Sequence, residues 1–98
     1  MAEVVGRLLK LNGKTLAVAE SCTGGYISHL ITVVAGSSAY YKGSVTAYSN
    51  EVKMKLLGVK KSSLEEFGAV SETVAKEMAV GVRKALQSDY AVAPPGIA

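Results

Sequence analysis

This sequence is short of cysteine, of histidine, of long apolar runs and of charge of one sign, and each shortage closes off a class of protein. Cys22 is its one cysteine, so no disulfide can form within the chain, which fits a reducing compartment, the cytoplasm. Its one histidine, His29, falls inside an expected helix with no cysteine or histidine at ligand spacing. No metal site and no cofactor are therefore expected. The most apolar stretch, 27–35, is broken by Ser28, His29 and Thr32. It is far below the ~20 residues that cross a bilayer. The first residues, Met1 to Arg7, lack the basic flank and apolar core of a secretory signal. The net charge is only +3, with lysine and arginine scattered over several segments, so neither a membrane nor a nucleic acid is an expected partner. No repeat, low-complexity segment or linker breaks the chain.

What remains is 98 residues, 49% apolar and 19% charged, enough for one globular domain with a modest core. Residues 3–11 carry Val4, Val5, Leu8, Leu9 and Leu11 on one side, the pattern of an amphipathic helix that Asn12-Gly13 ends. Residues 15–19 are short and continuously apolar, as in a strand covered on both faces. A helix is expected over about 24–34 and a strand over 39–48. Asn50 is a good cap for a short helix, 51–57, closed by Gly58. Two overlapping capping boxes, Ser62 with Glu65 and Ser63 with Glu66, open another. Ser71 caps the longest, about 72–87, and residues 89–93 form a third strand.

Strands alternating with helices favour parallel pairing through right-handed crossovers. The expectation is an α/β fold, three-layer α/β/α, with a mainly parallel sheet. The strands' C-terminal ends then share one edge, where open α/β sheets bind ligands. Three segments meet there: Glu20-Ser21, Tyr48-Ser49-Asn50 and Pro94-Pro95-Gly96. Behind the first, Glu20-Ser21-Cys22-Thr23-Gly24-Gly25 turns a strand into a helix.

That hexapeptide resembles the C-terminal domain of the CinA, competence/damage-inducible, proteins, the nicotinamide-nucleotide amidase family. Gly36-Ser37-Ser38-Ala39-Tyr40, Leu56-Leu57-Gly58-Val59 and Gly68-Ala69-Val70-Ser71 match as well, as does Ala47-Tyr48-Ser49-Asn50-Glu51 with Lys53. The matches run in order over residues 3–93. The resemblance implies a three-layer α/β/α fold. It also implies hydrolysis of the carboxamide of nicotinamide mononucleotide to nicotinate mononucleotide and ammonia. Two departures stand out. Pro95 replaces a hydroxyl residue of the family pattern, and the chain ends before the family's later strands and late basic residue. The expectation is one CinA C-terminal-like domain over residues 1–98, incomplete and truncated at its C-terminus. The runner-up is a nucleotide-binding or protein-interaction module without catalysis.

Amide hydrolysis needs a nucleophile, a base and donors for the oxyanion. Ser21 stands at a strand end on a helix N-terminus, as nucleophile or phosphate ligand; an ordinary N-cap is the alternative. Thr23, Gly24 and Gly25 offer N–H groups to substrate, or simply let helix pack on sheet. Tyr48 and Lys53 complete a candidate set in which the ammonium lowers the tyrosine pKa and the phenolate takes the serine proton. Without the resemblance, Tyr48 is a half-buried strand aromatic and Lys53 a solvated helix residue. Glu20 orients Ser21 or a ligand ribose, or makes a strand-end salt bridge. Asn50 reads as a cap first and a substrate contact second, and the resemblance implies Gly96 as a further substrate contact. Cys22 is the obvious nucleophile by chemistry, but a lone cysteine is more often a small buried residue. Ser38 matches the family but follows the second helix, which puts it at the opposite end of the sheet from Ser21. Either it serves a neighbouring subunit in a homodimer, or the second strand runs otherwise.

Overall fold

The computed structural model describes residues 2–21 and 24–94. Helix α1 (Ala2–Asn12) leads into β1 (Leu16–Glu20), and α2 (Tyr26–Thr32) with a 3-10 turn (Ser37–Ala39) leads into β2 (Tyr41–Thr46). Then α3 (Asn50–Leu57), α4 (Lys61–Phe67) and α5 (Glu72–Leu86) precede β3 (Tyr90–Val92). The strands form one parallel sheet in the order β2-β1-β3, with Leu16 beside both Tyr41 and Tyr90. The expected α/β class and parallel pairing are therefore observed.

Side chains alternate across β1, and the alternation builds the layers. Ala17 and Ala19 join Ala47, Val74, Met78 and Val82 in a core under α3 and α5. Leu16 points the other way, into a smaller cluster with Leu9 of α1 and Tyr40, against which Ile31 of α2 packs. All five residues of β1 are buried, as its unbroken apolar run predicts. Helix α1 uses its apolar side only in part. Leu9 and Gly6 are buried, while Val4, Val5, Leu8 and Leu11 are exposed. Gly6 lets the helix lie flush on the buried Tyr40 ring; a Cβ there would sit 2.6 Å from Tyr40 Cζ.

Two caps differ from their expected places. Ser49, not Asn50, caps α3: its extended backbone aims Oγ at Val52 N, 3.2 Å away, and Asn50 becomes the first helical residue. The Ser62 and Ser63 boxes do not open α4, which starts at Lys61 without a side-chain cap. Instead Glu77 of α5 accepts the Lys60 amide at 2.7 Å and the Ser63 hydroxyl. A carboxylate carried in on a packed helix is a stronger acceptor than a local side chain that must be ordered for the purpose. Ser71 caps α5 as expected, accepting from Val74 N.

Glu77 and Asp89 tie distant segments and give the fold an acid limb. The Lys60 amide, then the Ser63 hydroxyl, hold the Glu77 carboxyl below its ordinary value. The Thr15 amide at 2.9 Å, then its hydroxyl at 3.0 Å, do the same for Asp89. A depressed folded-state pKa stabilises at any pH above the unfolded value, about 4.3 for Glu and 3.9 for Asp. That stabilisation is lost as pH falls from there through the folded values. Thermal midpoints followed from about pH 5 to 2 should fall, and Glu77→Gln with Asp89→Asn should flatten the fall. An equally steep fall in the double variant would place the acid sensitivity elsewhere.

Candidate active site

The C-terminal edge of the sheet is built by β1 and β2 together. Their ladder runs to Glu20 beside Thr46, and Ala47 N extends it by donating to Glu20 O at 2.7 Å. Ser21 follows Glu20 at this edge, and Tyr48 follows Ala47 at the same edge. Ser21 is buried and its carbonyl accepts from Gly24 N at 3.2 Å. Gly24 and Gly25, just before α2, have φ of 61° and 102°, left-handed values that a side chain would strain. Cys22 and Thr23 lie outside the described residues, as do Pro95 and Gly96.

Two side chains behave differently from their sequence readings. Lys53, in the first half of α3, is 2% exposed rather than solvated. Its side chain makes no hydrogen bond or ion pair among the described residues, and no fully buried side-chain nitrogen or oxygen among them lacks a partner. The stem is therefore enclosed while the ammonium tip keeps a path to solvent. The apolar stem favours such enclosure and the charge opposes it. Tyr48 is 78% exposed, not half-buried, because β2 ends at Thr46 and the ring has left the sheet.

Glu20 is fully buried. Its Oε1 accepts from Ile27 N at 2.7 Å and its Oε2 from Ser28 N at 3.1 Å. A carboxylate thus already occupies the positive end of α2, and two of the first-turn amides are spent on it. Sequence reasoning missed this contact. The signal was there in the alternation of β1, which sends Leu16, Val18 and Glu20 toward the α2 side. A second missed contact lies beside it: Tyr41 OH donates to Ser28 Oγ at 2.7 Å, tying α2 to the start of β2.

The remaining candidates lie apart. Asn50 is exposed at the start of α3, near the same edge, and His29 is exposed on α2. Ser38 is exposed in the 3-10 turn that precedes β2. Since β2 runs parallel to β1, Ser38 stands at the edge where the strands begin and Ser21 at the edge where they end. Five to six residues of strand separate the two edges, roughly 17–20 Å. The alternative in which β2 runs otherwise is thereby removed. Among the described residues no group of three His, Cys, Asp or Glu side chains could hold a metal ion, and no helix is long and apolar enough to cross a membrane.

A sequence model of the CinA C-terminal domain matches residues 1–98. The chain is 59% identical over its whole length to a CinA-like protein of Endomicrobium trichonymphae and 55% identical to one of Thermotoga neapolitana. It covers 23% and 24% of those two proteins, about a quarter of the length of the curated relatives it matches. Among solved structures, a competence-damaged protein (CinA) superfamily protein from Escherichia coli aligns with a TM-score of 0.89 at 32% identity, over 92% of this chain and 52% of that one. A competence or damage-inducible protein from Enterobacter asburiae aligns with the same score at 36% identity, over 92% of this chain and 57% of its own.

Proposed function

Because this chain belongs to the CinA C-terminal domain family, we propose that its C-terminal sheet edge contributes to an amidohydrolase site. The substrate in this reading is nicotinamide mononucleotide, deamidated to nicotinate mononucleotide and ammonia. One observation supports it above the rest: a lysine whose stem is enclosed, on the helix that follows the exposed Tyr48, and whose ammonium has no hydrogen-bond or ion-pair partner among the described residues. Ordering a long cationic side chain that no partner among the described residues holds costs conformational entropy, and its unshared ammonium is left for the reaction.

The chemistry runs as follows. A serine Oγ attacks the carboxamide carbon while its proton passes to the Tyr48 oxygen, the Lys53 ammonium offsetting the negative charge that develops in the reaction. The tetrahedral adduct collapses, the C–N bond breaks, and ammonia leaves with the proton returned by Tyr48. Water then cleaves the acyl-serine to the carboxylate. No metal and no cofactor enter this scheme. Ser21 is one choice of nucleophile and Ser38 the other. For Ser38 to act at this edge it must come from a second subunit, since within one chain it stands at the far edge. A homodimer is therefore part of the proposal.

The test is ammonia release from nicotinamide mononucleotide by the full-length protein. Release is the expected result, and a folded protein that releases none sinks the reading. Calorimetric binding of the nucleotide without turnover would favour the non-catalytic module instead.

A further inference from the structure

Glu20 sits at the centre of the candidate edge, yet its surroundings do not suit a group that meets substrate. It has no exposed surface, and both carboxylate oxygens already accept backbone amides of α2. We infer that Glu20 is a positioning residue: its carboxylate fastens the first turn of α2 to the end of β1, and so fixes the turn that carries Ser21. The inference rests on the proposed hydrolysis only for its activity readout.

Three connections meet in this one residue. Its side chain holds Ile27 and Ser28. Its backbone carbonyl accepts from Ala47 N, and Ala47 is followed directly by Tyr48. Its own C-terminal neighbour is Ser21. The tie continues outward, because Ser28 Oγ accepts from Tyr41 OH and so links α2 back to β2. Gly24 and Gly25 stiffen nothing, and α2 spans only seven residues, Tyr26–Thr32, so the helix gains from an anchor at its start. A charged acceptor inside the fold is the strongest single fastening available to such a turn, being charge-assisted and aligned with the helix dipole.

Amide hydrogen exchange tests the fastening without any substrate. First-turn amides of a helix ordinarily lack an intrahelical partner. In the wild-type full-length protein, Ile27 and Ser28 should nevertheless exchange slowly; fast exchange at both overturns the inference. In Glu20→Gln one oxygen becomes an NH2 facing an amide donor, and exchange at these two positions should rise about tenfold or more. Turnover of nicotinamide mononucleotide gives the second readout. Displacing a reacting group by about 1 Å costs on the order of a hundredfold, so kcat should fall about ten- to a hundredfold with KM nearly unchanged. Glu20→Asp keeps the charge at shorter reach and should fall between wild type and Glu20→Gln. Normal kcat in folded Glu20→Gln, or a loss confined to KM, overturns the inference, the latter because it marks a substrate contact. Should the wild-type protein release no ammonia, the hydrolytic reading fails while the exchange data still decide the role of Glu20.

Discussion

Gly81→Ala should lower the thermal midpoint by about 10–20 °C, although helix propensity taken alone predicts a gain. Gly81 lies in the interior of α5. An exposed helix-interior glycine replaced by alanine gains roughly 1 kcal/mol. Here the added Cβ would meet backbone rather than space: it would lie 2.6 Å from the Leu57 carbonyl carbon and 2.8 Å from its Cα, and nearer still to the carbonyl oxygen. Those atoms close α3 and cannot rotate away as a side chain would. The two helices must separate, and the core between them, Leu57, Val74, Met78 and Val82, must open with them. Overpacking of this kind costs about 1–3 kcal/mol and sometimes more. With the backbone as the obstacle we expect a net loss of about 2–3 kcal/mol, which at roughly 4–8 °C per kcal/mol for a domain of this size spans about 8–24 °C and centres on the stated shift. A midpoint that rises instead would mean that α3 and α5 do not cross this closely.

Lys53→Met should abolish most activity while leaving the fold as stable or more so. The side chain is 2% exposed, and methionine fills nearly the same space without the charge. Replacing a charged side chain with an enclosed stem by an apolar group of similar shape is often neutral or stabilising. The proposed role predicts the opposite sign for turnover, a fall in kcat of about 10²- to 10⁴-fold. Tyr48→Phe should lose activity on the same scale and, at 78% exposure, change stability by less than about 0.5 kcal/mol. Normal turnover in either variant removes that residue from the mechanism.

Lys53→Met also reports on which chain supplies the serine. If Ser38 works across a dimer, inactive Lys53→Met and inactive Ser38→Ala subunits, mixed and allowed to exchange, should regain about a quarter of wild-type activity. Half the dimers are then mixed, and each mixed dimer holds one intact site. No recovery, with exchange demonstrated, would assign the nucleophile to Ser21 or place Ser38 outside the site.

Much of this fold is legible in the sequence. Period-2 and period-3.6 patterning gave the element order, because burial of one face dictates where apolar residues recur. The two misplaced caps show the limit of that reading. Ser49 and Asn50 are both good caps, and which one serves depends on where β2 releases the chain. Ser63 lost its local partner to Glu77, fourteen residues on, because α5 packs there. Ser38 is the opposite case: its place after the second helix already put it at the edge away from Ser21, and the parallel direction of β2 keeps it there.

The sequence by itself determined the α/β class, the parallel sheet and the strand-to-helix turn with its glycines, since each follows from local periodicity and backbone freedom. It also named Ser21, Tyr48 and Lys53 as candidates. Only the tertiary structure decided what surrounds them. It buried Lys53, exposed Tyr48, closed α3 against Gly81 and filled the start of α2 with the Glu20 carboxylate. Burial and hydrogen-bond partnership depend on which segments meet, and that meeting is set by packing across the sheet rather than by any neighbour along the chain.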